Sequence, residues 1–138
     1  MSFDQTLTTS FKQDLLLGVH DFATDTIKMA LYEASADLGA ATTVYSTASE
    51  ASGTGYAAGG NIMTGVTVLT SGTTAYVDFA NTVWDPADFT ARGALIYNAS
   101  KSNKAIAVLD FGSDKTATTT FTVQMPANTA TSALIRIS

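Results

Sequence analysis

The stretch ALIYNASKSNKAIAVLDFG, residues 94–112, decides the fold class because it reads as two strands joined by a turn. A strand with one face in a core and the other in water alternates apolar and polar residues. In the first strand, however, Leu95 and Tyr97 point one way while Ala94 and Ile96 point the other. In the return strand, both faces are again apolar. Alternation places Ile106 and Val108 on one face, and on the other face Ala105, Ala107, Leu109 and Phe111.

A hairpin with two apolar faces needs two covers, because each face must be buried against another element. We expect the second sheet of a β-sandwich to cover one face. Three short side chains, Ala94, Ala105 and Ala107, favour close packing by a helix or a flat neighbour on the other. The N-terminal helix and a partner protein are both candidates for this second cover.

One helix is predicted near the start of the chain, in SFKQDLLLGVHDF, residues 10–22. Ser10 with Gln13 three residues later matches a capping box. Gly18 is predicted to weaken or stop the helix. The apolar residues of this segment fall close to one helical stripe, namely Phe11, Leu15, Leu16, Val19 and Phe22.

The rest of the chain carries strand signals at short, regular spacing, which is typical of an all-β sandwich or barrel. We predict a single domain over residues 1–138: a jelly-roll or Greek-key sandwich of about eight strands with one short N-terminal helix. Residues 1–9 are predicted to form an N-terminal arm, with a frayed chain end as the alternative. The predicted strand segments are 26–34, 41–47, the hairpin 62–80, 89–98, 104–112, 118–125 and 132–138, with a Gly-rich connection at 48–61 and a loop at 81–88.

Charge and composition exclude several classes of partner. Seven basic residues against twelve acidic ones give a net charge of −5, without the basic footprint of a nucleic-acid-binding protein. No apolar run approaches the ~20 residues that span a bilayer, so no membrane contact is predicted. The N-terminus lacks the basic and apolar regions of a secretory signal, which predicts synthesis in a cytoplasm.

The sequence predicts that the protein is not an enzyme. His20 is the single histidine, beside Asp21 and ten residues after Ser10. Adjacency in sequence is not the geometry of a catalytic triad, and Ser10 is better explained as a helix cap. We therefore interpret His20 as a structural residue at the surface or the helix end.

No metal or cofactor site is predicted, because the chain has one histidine, no cysteine and no calcium-loop spacing. Two aspartate pairs in loops could hold Ca²⁺ weakly, but turn residues exposed to solvent are the favoured interpretation. These pairs are Asp85 with Asp88 and Asp110 with Asp114.

Trp84 stands out because it is a large aromatic residue in the polar loop NTVWDPAD, residues 81–88. Tryptophan is enriched at the centres of protein interfaces. We predict that an exposed Trp84 contacts a partner together with Asp85 and Pro86, and that Phe3 in the N-terminal arm does the same.

Nearly the whole chain resembles a group of small proteins encoded by tailed bacteriophages. The resemblance lies in FKQDLLLGVHDFATDTIKMALYEASADLGAATTVYS, SGTGYAAGG, LTSGTTAYVDFA and TVWDPADFTARGALIYNASKSNKAIAVLDFG. It is a likeness of pattern, without a catalytic motif, and it transfers no functional residue. Such proteins are usually virion components, and among them the cement (decoration) proteins of the head are often jelly rolls or related β-folds.

The resemblance implies a decoration protein on the capsid surface, made in the host cytoplasm. Its partner is then the major capsid protein, and self-association as a dimer or trimer is expected. The alternative is a tail-associated or receptor-binding β-domain that holds host glycans. That domain would use Tyr56 and Trp84 as stacking platforms, with aspartate and asparagine side chains bonding the sugar.

Overall fold

The computed structural model describes residues 3–138 and folds them into antiparallel sheets with one short N-terminal helix, which confirms the predicted all-β class. Ten strands are present in these residues rather than about eight, because two-residue strands leave no periodicity in the sequence. The elements are β1 (Thr6–Leu7), α1 (Thr9–Leu16), β2 (Ile27–Tyr32), β3 (Asn61–Ile62), β4 (Thr67–Ser71), β5 (Thr74–Asp78), β6 (Thr82–Trp84), β7 (Phe89–Asn98), β8 (Lys104–Ala117), β9 (Phe121–Val123) and β10 (Ile135–Ile137).

The strands form three sheets within the described residues. The large sheet has the order β1-β8-β7-β2-β3, the small sheet has the order β10-β5-β4, and β6 pairs with β9. The predicted hairpin at residues 94–112 lies within β7–β8, at the centre of the large sheet. The predicted strand at 41–47 is absent, because this segment makes only an isolated bridge from Val44 to Lys104.

The helix ends as predicted but begins earlier than predicted. Gly18 has a φ of +71°, which glycine adopts without steric cost. The N–H of Gly18 donates to the carbonyl of Leu15, and the N–H of Val19 to that of Asp14, which is the Schellman pattern of a helix end. The capping prediction for Ser10 is wrong: the cap is Thr8, whose buried Oγ1 accepts from the N–H of Phe11 at 3.1 Å.

A β-bulge changes which face each residue of β8 takes. Ile96 pairs with Ala107, but the next residue, Tyr97, pairs with Ala105. Ile106 is therefore the extra residue, and the alternation breaks there. Ala105 packs with Val108 on one face of the sheet, while Ile106, Ala107 and Leu109 belong to the core on the other.

The main core lies between the large sheet and both smaller sheets. The helix packs into this core through Phe11, whose ring meets Phe22 at 6.0 Å, and Phe22 in turn meets Phe79 at 6.3 Å. The N-terminal helix therefore covers the same face of the hairpin as the other sheets, the face that carries Ala94 and Ile96. It is not the cover of the second face.

The second face of the hairpin is covered by the chain's own segment 33–50. Leu95 and Tyr97 pack there in a second cluster with Ala36, Leu38 and Tyr45 of that segment. The ring of Tyr45 stacks on that of Tyr97 with 4.7 Å between centroids. A partner protein is thus not needed to bury this face.

Candidate partner-binding surface

The side chain of Trp84 is buried, so the prediction of an exposed Trp84 is wrong. Its relative exposure is 2%. Strand β6 pairs with β9 in a register that sets Trp84 opposite Phe121. The indole stacks near Tyr56 at 6.2 Å and meets the edge of Phe121 at 6.1 Å. Trp84 thus anchors its loop to the core instead of offering a contact surface.

Asp85 and Pro86 follow this anchor and are exposed. They are joined by a cis peptide bond, and the next two N–H groups are tied down. The N–H of Ala87 donates to the carbonyl of Thr119 at 2.8 Å, and that of Asp88 to the carbonyl of Thr54 at 2.9 Å. The turn is therefore held in place from both sides, as a preorganised contact surface requires.

Two exposed apolar side chains lie next to this turn, and the sequence analysis did not single them out. Ile62 is 60% exposed and Val83 is 46% exposed. Their strands lie side by side, because Nδ2 of Asn61 donates to the carbonyl of Val83 at 2.8 Å. We call Ile62, Val83, Asp85 and Pro86 the Ile62–Val83 patch. Val83 is exposed because it alternates along β6 with the buried Thr82 and Trp84, and this burial is not visible in the sequence.

Phe3 does not belong to a free arm. Its backbone bridges to Leu38, and its half-buried ring lies over Gly93, where a Cβ would come within 2.6 Å of the ring. Strand β1 follows as an edge of the large sheet, paired with β8. The arm prediction is therefore wrong for residues 3–9, and its first two residues lie outside the described part of the chain.

The carboxylate of Glu50 holds the Gly-rich connection 48–61 together and joins it to Tyr45. One carboxylate oxygen accepts from the hydroxyl of Tyr45 at 2.7 Å, and the other accepts from Tyr56 at 2.5 Å and from the N–H of Gly59 at 2.8 Å. Burial raises the pKa of Tyr56 and of Tyr45 above the ordinary tyrosine value. The two hydroxyls therefore keep their protons and donate at neutral pH.

The predicted sugar-stacking pair does not form a surface platform. Tyr56 is half-buried, with its hydroxyl on Glu50 and its ring against the buried Trp84. Stacking on a sugar requires an accessible ring face. Trp84 is buried, and the ring of Tyr56 packs against Trp84 and Phe89, so the two rings do not form the predicted platform.

His20 is buried behind the helix end, as part of a polar cluster. Its Nδ1 lies 3.0 Å from Nδ2 of Asn98, which also donates to Asp25 at 2.8 Å, and Nζ of Lys101 bonds both oxygens of Asp25 at 2.9 Å. Burial, as the largest effect, lowers the pKa of His20. The cluster joins the segment after α1 to the turn of the β7–β8 hairpin.

Ser10, His20 and Asp21 do not form a catalytic triad, because each has a different partner. The hydroxyl of Ser10 lies near the carbonyl of Thr42 at 3.4 Å, and the carboxylate of Asp21 accepts from the N–H of Ala23 at 3.0 Å. His20 faces Asn98, so Asp21 does not orient the imidazole toward Ser10.

Of the four aspartates considered as Ca²⁺ ligands, Asp110 has protein partners in the structure. Asp110 accepts from Nε of Arg92 at 3.3 Å and from the N–H of Gly112 at 2.9 Å. Within residues 3–138, no three histidine, aspartate or glutamate side chains are grouped to hold a metal ion. No helix in that range has the length and apolar character to cross a membrane.

No protein-family model, curated relative or solved structure matches this chain.

Proposed function

We propose that this protein is a bacteriophage head decoration protein that binds the outer surface of the assembled capsid and stabilises contacts between major capsid subunits. The Ile62–Val83 patch is the observation that carries the proposal, since its two large apolar side chains stand exposed on neighbouring strands of two different sheets. The resemblance to small virion proteins of tailed phages supplies the kind of partner.

The patch has the composition of a contact surface. Ile62 and Val83 supply its exposed apolar side chains, and Asp85 supplies an exposed carboxylate for hydrogen bonds to a partner. The buried Trp84 anchors β6, and the hydrogen bonds of Ala87 and Asp88 fix the turn. Val83, Asp85 and Pro86 are therefore held in position before binding. A preorganised surface loses little conformational entropy on association, so more of the contact free energy appears as affinity.

The test is cosedimentation of the purified protein with empty capsids that lack it. We expect binding to saturate at many copies per capsid and to raise the melting temperature of the capsid. Val83→Lys places a charge at the centre of the patch and should weaken binding by about tenfold or more, because the ammonium must be desolvated at the contact.

Val44→Lys is the matched control, because Val44 is 48% exposed and lies outside the patch. This variant should bind capsids as the unaltered protein does. Absence of capsid binding would contradict the proposal. A handful of copies per virion would contradict head decoration and favour the tail-associated alternative.

A further inference from the structure

Strand β4 is an open and unprotected sheet edge. It is the outermost strand of the small sheet, and all five of its residues, Thr67–Ser71, are exposed. It pairs with β5 without a register shift and contains no charged residue and no proline. Natural edge strands normally carry charges, prolines or bulges that prevent pairing with another chain.

The other edges in the described residues are protected in these ways or are very short. The edge strands β1 and β3 have two residues each, β6 and β9 have three each, and β10 has three and carries Arg136. The part of β8 that extends beyond β1 contains Asp110, Asp114 and Lys115 and an irregular register. An exposed edge as long and as free of charge as β4 therefore indicates a strand that pairs with another strand.

The turn geometry identifies the backbone groups that β4 offers. Ser71 and Thr74 flank a two-residue turn, and the residues that close such a turn form a hydrogen-bonded pair. Alternation directs the backbone groups of every second residue to β5, so those of Val68 and Thr70 face the open edge. The same alternation holds just after β5. Phe79 follows Asp78, whose backbone groups face β4, and the N–H and carbonyl of Phe79 bond Asn128 on the opposite side of β5.

The side chains of β4 are nearly symmetric about Leu69. The two flanking residues, Val68 and Thr70, are both β-branched and almost equal in shape. The two end residues, Thr67 and Ser71, both carry hydroxyls. A surface that repeats itself about its own centre suits isologous contact with an identical surface.

We propose that two copies of this chain pair antiparallel through β4, about a two-fold axis at Leu69, and form one continuous six-stranded sheet. In this register Leu69 faces Leu69 of the other copy, and Val68 faces Thr70. The Val68 and Thr70 positions exchange both of their backbone hydrogen bonds, which gives four bonds across the axis. Val68, which is 50% exposed, and Leu69, which is 38% exposed, both lose part of their contact with water.

The charge of the chain favours this edge as the meeting place. Two copies of a chain with net charge −5 repel each other, and a contact that brought like charges together would add to this repulsion. The β4 pairing brings no charged residue opposite another. Dimerisation goes beyond capsid binding and does not require it, because every group involved belongs to β4.

Sedimentation of the protein alone tests the oligomeric state. We expect a concentration-dependent dimer. Leu69→Lys should raise its dissociation constant by about tenfold or more, because two ammonium groups then meet at the axis. An equimolar mixture of Leu69→Lys and Leu69→Glu should recover the dimer, since only residue 69 meets its own copy. Because Leu69 is partly exposed on an edge strand, both variants should fold, which circular dichroism checks.

A cysteine cross-link tests the register. The chain has no cysteine, and directly opposed, non-hydrogen-bonded residues lie at a distance that suits a disulfide. Leu69→Cys should therefore form a covalent dimer on mild oxidation, and Val83→Cys, at similar exposure, should not. A monomer at all concentrations, a dimer that persists in Leu69→Lys, or equal cross-linking of both cysteine variants would overturn the proposal.

Discussion

Asn98 donates a hydrogen bond from Nδ2 to Nδ1 of His20 over 3.0 Å, and this bond fixes the protonation state of the histidine. The amide cannot be turned around, because its oxygen accepts from the N–H of Ser100 and its nitrogen also donates to Asp25. Since an amide nitrogen is a donor only, Nδ1 of His20 must be an acceptor. The imidazole is therefore neutral, with its proton on Nε2.

This arrangement predicts a loss of stability in mild acid. Burial lowers the pKa of His20 below 6.5 in the folded state, against the opposing charges of Asp14 and Asp25. As the pH falls below 6.5, the unfolded chain gains a proton that the folded chain does not, so the free energy of unfolding falls. Urea unfolding at pH 7.5 and pH 5.0 should show this decrease.

The control for this effect is His20→Gln, which can still accept a hydrogen bond from Asn98 but does not titrate. Its free energy of unfolding should change less between the same two pH values. An equal decrease in both proteins would show that another group is responsible.

The lowered pKa of Asp25 predicts a second decrease in the free energy of unfolding, at lower pH. Desolvation alone would raise its pKa, but hydrogen bonds from Asn98, the Asp21 backbone and Lys101 outweigh it and lower the pKa to about 2. The stabilisation from ionised Asp25 is therefore complete above pH 3.8, the ordinary pKa of the group, and is lost as the pH falls toward 2. We expect Asp25→Asn to lower the free energy of unfolding by about 1–2 kcal/mol at pH 7. The difference between variant and unaltered protein should shrink in urea melts below pH 3.8, and a difference constant with pH would argue against this origin.

Glu50→Gln should loosen the Gly-rich connection. The amide offers one acceptor oxygen where the carboxylate accepts three hydrogen bonds, from Tyr45, Tyr56 and Gly59. Loss of charge-assisted bonds of this kind costs about 1–3 kcal/mol. Hydrogen exchange should accelerate at residues 51–60. Glu33→Gln, at an exposed position, is the matched control and should leave exchange in that segment unchanged.

Gly93→Ala should destabilise the protein by crowding. A Cβ at this position would lie 2.6 Å from the backbone oxygen of Leu109 and from the ring of Phe3. Overpacking of this kind typically costs about 1–3 kcal/mol, which thermal or urea melts would detect. At Gly39 a Cβ would meet its nearest neighbour, Asp4, at 3.4 Å, so Gly39→Ala should be close to neutral. Equal effects of the two substitutions would contradict the crowding explanation.

Local signals in the sequence predicted several elements correctly. Strand β7 runs from Phe89 to Asn98 as predicted, and the hairpin within 62–80 forms around its turn. The helix ends at Leu16, just before Gly18, because a left-handed residue stops the helical hydrogen-bond pattern. Each of these features depends on backbone preferences and side-chain periodicity within a few consecutive residues, which the sequence displays directly.

Tertiary structure decided which surface each side chain occupies. A single extra residue, Ile106, reversed the predicted face of Ala105, because alternation holds only while a strand is regular. Trp84 lies in NTVWDPAD, a stretch in which most residues are polar or turn-forming, yet it is buried because β6 pairs with the distant β9.

The cover of the central hairpin shows the same division. The sequence by itself determined that both faces of the hairpin must be buried, since both are apolar. Only the tertiary structure showed that segment 33–50 buries the second face, through Tyr45 on Tyr97 and Ala36 and Leu38 beside them. The hydrophobic effect is non-directional. The apolar pattern of a strand therefore indicates that a face is buried but not which element buries it. The identity of the cover depends on contacts between residues far apart in the chain.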